Sequence, residues 1–465
     1  MFTNEQEYCC FKIFCEKTAL RLAGCFDSSL WGRLVLQACD TDPAIRHAVI
    51  AIGALDFTLE LAHAEPIPAK SPLNMHHKEV QKHHSFALRQ YGAAIRQIRN
   101  SASEAKVNTR RILLGCLLIS CFEMFQGNYH SAVTQIQSGL VLMENWQTDF
   151  ATNQSEVLGA SSPSPYEVEN ELYQAFARLD IQLMSFVDFR PRETHERMRH
   201  FGSTSVQSMP STFRDLKESR IYIEIIIRRI MHYIGSVSGS KSYNGCLRVA
   251  SPPLLFQSDS QEVHRMLSKE PERWYQAFKP LWEHACSPDG KAHIHMATAL
   301  RIYYLISQFS IGIIPMNRSE TIPFAAKASE ICREIVSLAP TIINYSATRC
   351  STARFSFDLQ AVTPLYIVAL RCPDPDVRCR ALNLLRSCSR REGLWDSHLV
   401  ANVLSWVTKL EGQDGLKGIS ATNGPGVTHM MYDFEFEAKY VQVKCQQLGK
   451  GSKRPVERIL KMSID

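Results

Sequence analysis

The sequence predicts an all-α protein, built as an irregular stack of antiparallel helix hairpins. Its 465 residues include only 22 glycines and 21 prolines, fewer than the roughly 12% of average usage, which favours long helices. Apolar residues repeat at helical spacing between loops rich in Ser, Gly, Pro and Asn. The one strand-like run, Ile221 to Ile227, continues into Arg228 and Arg229, so we predict a helix rich in β-branched residues there.

The first clear helix is predicted to begin at Asp42. An aspartate is a typical N-cap, and Pro43 suits the first helical position. Apolar residues then recur at helical spacing: Ile45, Val49, Ile52, Leu55 and Leu59. This pattern predicts a helix with one buried face.

A helix hairpin is predicted from Thr109 to Trp146. The segment Ile112 to Phe125 is apolar on nearly every side, and its helix breaks at Gln126-Gly127-Asn128. A helix of this kind must be covered all round, so it belongs at the centre of the fold. On this pattern, aspartate at Ile112 is expected to be severely destabilising.

A second helical pair is predicted for Asp374 to Ser387 and Asp396 to Leu410. Asp374 and Asp396 are the expected N-caps. Gly393 is expected to end the first helix, and Trp395 to pack as a staple onto Val400. The sequence from Arg391 to Asp396 therefore predicts a rigid corner with a structural role.

The predicted domain organisation is one helical domain over residues 1–412, with a lobe boundary near 148–165. Residues 413–465 are predicted to form a loop, a short helix and a basic C-terminal tail. The acidic start of the chain has no apolar signal segment, and no apolar run reaches the ~18 residues of a membrane helix. Synthesis is therefore expected to end in the cytosol or the nucleus.

The sequence contains no catalytic motif of the nucleotide-binding, phosphate-binding, serine-hydrolase or zinc-protease type. We therefore predict no enzyme activity and no cofactor. Pairs of aspartates at helix starts, Asp40 with Asp42 and Asp374 with Asp376, are interpreted as caps and not as magnesium ligands. The remaining metal-ligand candidates are interpreted as a solvated helix face and as small apolar core residues; they are His76, Glu79, His77, His83, His84, and Cys9, Cys10, Cys15, Cys25 and Cys39.

The net charge of +6 is too small to indicate nucleic-acid binding by itself. Basic residues do cluster near the C-terminus. Within that cluster, Lys450, Lys453 and Arg454 are the candidate residues for recognition by a nuclear import receptor.

Three ordered blocks of sequence resemble the regulatory (middle homology) region of fungal zinc-binuclear-cluster transcription factors. The resemblance spans about residues 5 to 412. Its motif residues are Phe26, Asp27, Trp31, Pro43, Ile45, Arg46, His47 and Gly53 in the first block; Gly127, Asn128 and Tyr129 in the second; and Arg391, Glu392, Gly393, Trp395 and Asp396 in the third.

The resemblance implies a helical regulatory domain that normally follows a six-cysteine zinc module, which reads DNA. In this sequence no cysteines have the Cys-x-x-Cys spacing of that module, so direct sequence-specific DNA binding is not expected. The motif residues are expected to be structural: Asp27 or Ser28 as a cap, Gly53 at a close helix approach, and Arg46 and His47 beside the buried stripe. For Arg46 and His47 the alternative is that they line a cavity or bind an acidic neighbour.

The resulting hypothesis is a nuclear, non-catalytic regulator of gene expression that acts through protein contacts. A secondary-metabolite pathway is one expected setting for it. The expected partner is a DNA-bound zinc-cluster transcription factor or a second copy of the chain, with room for a small-molecule effector. The alternative is a helical scaffold of the same ancestry that works as an enzyme or a small-molecule-binding protein in secondary metabolism. In that case the chain would reside in the cytoplasm.

Overall fold

The all-α prediction is confirmed, because the described part of the chain is mainly helical with only short strands. None of the described helices is both long and apolar enough to cross a membrane. The computed structural model describes residues 2–26, 29–63, 73–102, 108–151, 160–188, 190–237, 258–314, 321–349, 355–413, 427–435, 440–447 and 456–463.

The chain divides into two compact units. The first comprises Met1–Gln154, Ser161–Phe176 and Ser346–Asp358, and the second comprises Ser155–Ala160, Ala177–Tyr345 and Leu359–Asp465. The first two crossings of the chain between the units, after Gln154 and after Ala160, fall within residues 148–165, where the sequence predicts a lobe boundary. The later crossings have no signal in the sequence.

In the first unit, α4 packs against four other α-helices, α1, α3, α5 and α6. The elements of this unit are α1 (Glu5–Ile13), a π-helical segment (Phe14–Thr18), α2 (Ala19–Ala23), a second π-helical segment (Leu30–Leu34), α3 (Val35–Thr41), α4 (Pro43–His63), α5 (Leu73–Ala102), α6 (Thr109–Gln126), α7 (Tyr129–Ala151), the first part of α8 (Asn170–Phe186) and the strand β1 (Phe355–Ser356).

The predicted hairpin is present as α6 and α7, which pack on each other. Asn108 caps α6 by accepting a hydrogen bond from the backbone N–H of Arg111 (3.1 Å). Nearly every residue from Leu113 to Phe125 is buried, so the expectation that this helix is covered all round is confirmed. Ile112, however, is only half-buried, because it lies in the first turn of the helix.

In the second unit, α11 packs against α9, α12 and α13. The strand-like run Ile221 to Ile227 is helical within α11, as predicted. The elements of this unit are the remainder of α8, α9 (Arg192–Met198), α10 (Ser203–Gln207), α11 (Leu216–Val237), α12 (Ser258–Cys286), a 3-10 turn (Lys291–His293), α13 (Ile294–Gly312), most of α14 (Thr321–Arg349), α15 (Val362–Arg371), α16 (Pro375–Ser387), β2 (Arg391–Glu392), β3 (Trp395–Asp396) and α17 (Ser397–Gln413).

Beyond α17 the prediction of a short helix is wrong. The described residues there form an antiparallel sheet in the order β4-β5-β6, with strands β4 (Val427–Glu435), β5 (Tyr440–Gln447) and β6 (Val456–Ser463). The reason is visible in β5, where Val441 and Val443 alternate with Gln442 and Lys444. That period of two residues is the pattern of a strand and not of a helix.

Candidate functional site

The first motif block lies in the core of the first unit. Phe26 and Trp31 are buried, and the Trp31 ring meets Phe357 edge to face with 5.1 Å between ring centroids. Asp27 and Ser28, predicted as alternative caps of a helix, both lie outside the described residues. Trp31 therefore packs the second π-helical segment against the region of β1.

Gly53 lies where α1 crosses α4. A Cβ atom added to Gly53 would meet the Cys10 carbonyl oxygen at 2.3 Å, far inside van der Waals contact. Only glycine permits this approach without moving the backbone of α1. The close helix approach expected from the sequence is thus present.

Asp42 and Arg46 close the turn between α3 and α4. The Asp42 carboxylate accepts a hydrogen bond from the Ala44 N–H (2.8 Å), as predicted for an N-cap, with Pro43 at the first helical position. Arg46 donates from Nε to the Cys39 carbonyl (2.9 Å), satisfying an acceptor at the C-terminal end of α3.

His47 belongs to a chain of polar side chains between α4, α5 and α1. Its Nδ1 atom lies 2.5 Å from Gln90 Oε1, and Gln90 Nε2 donates to Glu7 Oε1 (3.0 Å). Burial opposes ionisation of Glu7, but hydrogen bonds from Thr3 and Gln90 outweigh it and lower the pKa of this carboxyl group. His47 thus couples three helices.

A shallow polar groove of about 260 Å³ lies beside this turn. It is lined by Ala38, Thr41, Asp42, Ile45, Asn108, Arg110, Arg111 and Leu114. Its two arginines are already engaged, since Arg111 Nε lies 2.5 Å from Asp42 Oδ2 and Arg110 lies 2.7 Å from Glu169 Oε1. The groove is therefore neutralised by internal ion pairs.

The second motif block forms the turn of the α6–α7 hairpin. Gly127 has a left-handed backbone with φ of 83°, a conformation that glycine adopts without strain. The Asn128 N–H donates to the Glu123 carbonyl (2.9 Å), and Tyr129 is buried at the start of α7. Burial raises the pKa of the Glu123 carboxyl group, which accepts a hydrogen bond from Tyr91.

The third motif block is a β-hairpin, and the prediction that Gly393 ends a helix is wrong. The helix α16 already ends at Ser387. Glu392 pairs with Trp395 across a two-residue turn at Gly393 and Leu394, and Gly393 has φ of 54°. A Cβ atom at Gly393 would meet Gln182 Oε1 at 1.9 Å, so both the turn and the neighbouring helix α8 require glycine.

Glu392 caps a helix that is distant in the sequence. Its carboxylate, fully buried, accepts hydrogen bonds from the N–H groups of Gln360 (2.7 Å), Ala361 (3.0 Å) and Val362 (2.9 Å). These are the unsatisfied donors at the start of α15. Arg390 Nε lies 2.9 Å from Glu392 Oε1 and supplies a compensating charge.

Trp395 and Asp396 complete the hairpin. The buried Trp395 ring lies against Phe186 and Tyr366, at centroid distances of 5.5 and 4.8 Å, and its Nε1–H donates to Ser185 Oγ (3.0 Å). The Asp396 carboxylate accepts from the Leu399 N–H (2.9 Å), so its predicted role as the cap of α17 is confirmed. The staple onto Val400 stays a prediction.

Replacement of Trp395 by alanine is expected to lower the free energy of unfolding by about 3–5 kcal/mol, because it leaves a large cavity and the Ser185 hydroxyl without this donor. Urea denaturation followed by circular dichroism measures the loss. Trp395→Phe keeps most of the ring volume and should lose clearly less. Equal stability of Trp395→Ala and the unchanged chain would contradict the structural role.

A buried cluster of charged side chains joins α8, α9 and α11, and the sequence analysis missed it. Asp180 is fully buried and lies 2.7 Å from Arg190 and 2.5 Å from Arg228. His232 Nε2 lies 3.2 Å from Asp180 Oδ2, and its Nδ1 lies 3.0 Å from His195 Nδ1. Although burial opposes ionisation of Asp180, the arginines hold its pKa well below the ordinary value.

The histidines of this cluster are expected to make stability depend on pH. Burial lowers the pKa of His232 to about 4 and also lowers the pKa of His195. The negative charges of Asp180 and Asp188 act to raise these pKa values but do not outweigh burial. Below pH 6.5 the unfolded chain therefore binds protons that the folded chain does not. The free energy of unfolding should fall by up to about 1.4 kcal/mol per pH unit for each histidine, between pH 6.5 and the folded pKa.

Urea midpoints at pH 7.0, 6.0 and 5.0 measure this effect. Buried carboxyl groups with raised pKa values, such as Glu123 and Glu270, act with the opposite sign. The contribution of His232 is therefore isolated by comparing the unchanged chain with the His232→Gln variant. The free energy of unfolding of this variant should fall less on acidification. An identical pH profile for this variant would show that His232 binds protons equally in both states.

The remaining candidates from the sequence lie apart from these motifs. His83 lies 3.5 Å from Glu79, and His84 contacts Gln126. The side chain of His76 lies outside the described residues, as do the basic residues Lys450, Lys453 and Arg454. Of the N-terminal cysteines, Cys10, Cys25 and Cys39 are buried. Within the described ranges, no group of three or more His, Cys, Asp or Glu residues is arranged to hold a metal ion.

The three motif blocks thus define an all-α domain in which short polar motifs set caps, turns and helix contacts. A family model described as "Fungal specific transcription factor domain" matches residues 9–407, which is most of the chain. The chain therefore belongs to this family, and the resemblance drawn from the motif residues is confirmed.

One curated relative is the aspercryptin biosynthesis cluster-specific transcription regulator atnN of Emericella nidulans. It is 27% identical over 182 residues, which cover 39% of this chain and 26% of the relative. The match thus spans about a quarter of the relative's length. No solved structure matches the chain.

Proposed function

We propose that this chain regulates transcription in the nucleus, in a pathway of secondary metabolism. The observation that carries the proposal is the family match over residues 9–407. The pathway class is suggested by the relative in Emericella nidulans, whose name describes a regulator specific to one biosynthetic gene cluster. Members of a transcription factor family act where genes are transcribed, which supports the nucleus as the site of action.

The proposed mode of action is contact with other macromolecules and not turnover of a substrate. Several described motif residues form caps or lie buried in the core, which supports a structural role for them. Several apolar side chains remain exposed on the helices of the first unit, among them Tyr8, Leu20 and Val141. A DNA-bound zinc-cluster transcription factor is the proposed partner.

The test combines affinity capture of the tagged full chain from nuclear extract with expression profiling of a deletion strain. The expected result is capture of a DNA-bound transcription factor and altered transcripts of one group of biosynthetic genes. Cytosolic residence, together with loss of one chemical step at normal transcript levels, would contradict the proposal. That outcome would favour the enzyme or small-molecule-binding alternative.

Nuclear import is proposed to use the basic tail. A fluorescent fusion carrying alanine at Lys450, Lys453 and Arg454 should shift from the nucleus toward the cytoplasm. A matched control replaces two exposed lysines on the helices, Lys12 and Lys279, and should keep the nuclear signal. Unchanged import of the tail variant would show that another segment or a partner carries the chain.

The isolated chain is expected to bind duplex DNA only weakly and without sequence preference, because a net charge of +6 offers few phosphate contacts. A gel-shift titration at physiological salt, with a promoter fragment and a scrambled fragment of equal length, measures both affinity and preference. Tight binding to the promoter alone would contradict this prediction.

A further inference from the structure

Two cysteines of the second unit lie in contact with each other. Cys332 belongs to α14, and Cys372 is the residue at which α15 ends. Both are free thiols with buried side chains, and the Cys332 thiol donates a hydrogen bond to the Cys372 sulfur. Two thiols in hydrogen-bond contact need little movement to become a disulfide.

A second contact joins the same two segments of the chain. Arg333, the residue after Cys332, lies 3.7 Å from the Asp374 carboxylate. Asp374 in turn caps α16, because its carboxylate accepts a hydrogen bond from the Asp376 N–H (3.0 Å). The corner between α15 and α16, residues 371–376, therefore contacts α14 both through the thiols and through this ion pair.

The two thiols differ in acidity. The hydrogen bond from Cys332 lowers the pKa of Cys372, and the backbone N–H of Asp374 adds to this effect, although burial opposes it. The same hydrogen bond, together with burial, raises the pKa of Cys332. Since the thiolate is the reactive form of cysteine, Cys372 is the sulfur that reacts first with an oxidant, and Cys332 is the second.

We propose that Cys332 and Cys372 form a reversible disulfide when the chain meets hydrogen peroxide. The Cys372 thiolate attacks a peroxide oxygen, so that an S–O bond forms, the O–O bond breaks and hydroxide leaves, taking up a proton to become water. The Cys332 sulfur then attacks Cys372. The S–S bond forms, the S–O bond breaks, and the hydroxyl group leaves with the Cys332 proton as water. The two thiols lose two electrons, and the peroxide is reduced to two waters.

The disulfide links α14 to the corner between α15 and α16. This corner lies at the surface, since Pro375 and Asp376 are exposed, whereas both sulfurs beneath it are covered. Peroxide therefore reaches the thiols when the corner opens locally. Once formed, the bond restricts the unfolded chain and makes the second unit more stable.

Peptide mapping of the full chain tests the proposal. After peroxide treatment, the remaining thiols are blocked with iodoacetamide in denaturant. The non-reduced digest should then contain the Cys332 peptide joined to the Cys372 peptide, and dithiothreitol should separate them. The melting temperature, followed by circular dichroism, should rise on oxidation and return on reduction. Cys121 is equally buried, but only burial acts on its thiol pKa, so it should stay reduced.

Two variants separate this pair from the other cysteines. Cys332→Ser keeps a hydrogen-bond donor but removes the second thiol, so dimedone should label Cys372 as a sulfenic acid. Cys379→Ser removes an exposed cysteine of α16 and should keep both the cross-linked peptide and the rise in melting temperature.

Two outcomes would overturn the proposal. One is the absence of the cross-linked peptide at a peroxide concentration that oxidises the exposed Cys379. The other is an equal yield of cross-links from Cys332 or Cys372 to the remaining cysteines. Neither outcome bears on transcription, so the proposed function is tested separately.

Discussion

Replacement of Leu117 by aspartate is expected to abolish the native fold of the first unit. Leu117 is fully buried at the middle of α6, with buried neighbours along nearly the whole helix. A carboxylate there would be buried among mostly apolar residues, and burial of an unpaired charge costs several kcal/mol, a large part of the stability of a typical domain. Loss of the cooperative urea transition of this unit, followed by circular dichroism, is the expected result.

Ile112→Asp is the matched control. The sequence pattern predicts a severe effect at Ile112, but the structure leaves this residue half-buried at the first turn of α6. A carboxylate there keeps contact with water and lies near the positive end of the helix dipole, so the loss should be much smaller. Equal losses for the two variants would mean that α6 is not covered as described.

Removal of the Glu392 carboxylate is expected to cost about 3–5 kcal/mol. Glu392→Ala leaves three N–H groups at the start of α15 without their acceptor and leaves the buried Arg390 without its ion-pair partner. Removal of one partner of a buried ion pair is costly because the remaining charge and hydrogen-bond donors stay buried without compensation. The free energy of unfolding from urea denaturation is the measurement.

Two further variants test whether the charge of Glu392 and its buried position cause this loss of stability. Glu392→Gln keeps an acceptor oxygen but no charge, so it should recover part of the loss. Glu283→Ala removes an exposed carboxylate that pairs with Lys279 on one helix, and it should change stability by less than about 1 kcal/mol. If Glu392→Ala were no worse than Glu283→Ala, the carboxylate would not be the cap of α15.

Local signals in the sequence predicted the helices and several of their ends. Asp42, Asp374 and Asp396 cap the helices that follow them, and Gly127 forms the turn of the central hairpin. These features depend on residues within one or two turns of each other, so their side-chain chemistry can be interpreted without the rest of the chain. The family could be recognised from the same short motifs.

The third motif block shows where local interpretation fails. From its neighbours alone, Gly393 has the sequence context of a helix terminator, yet it lies in a hairpin turn against Gln182. The acceptor role of Glu392 depends on residues about 30 positions earlier in the chain. Neither spacing nor composition indicates such a pairing.

By itself, the sequence determined that this protein is helical, where its main hairpin lies and to which family it belongs, because periodicity, caps and motifs are local properties. Only the tertiary structure decided which buried charges meet: Glu392 with the start of α15, and Asp180 with Arg190, Arg228 and His232. The physical reason is that a buried charge is tolerated only beside its partners. Those partners are brought together by folding, from positions up to 52 residues apart.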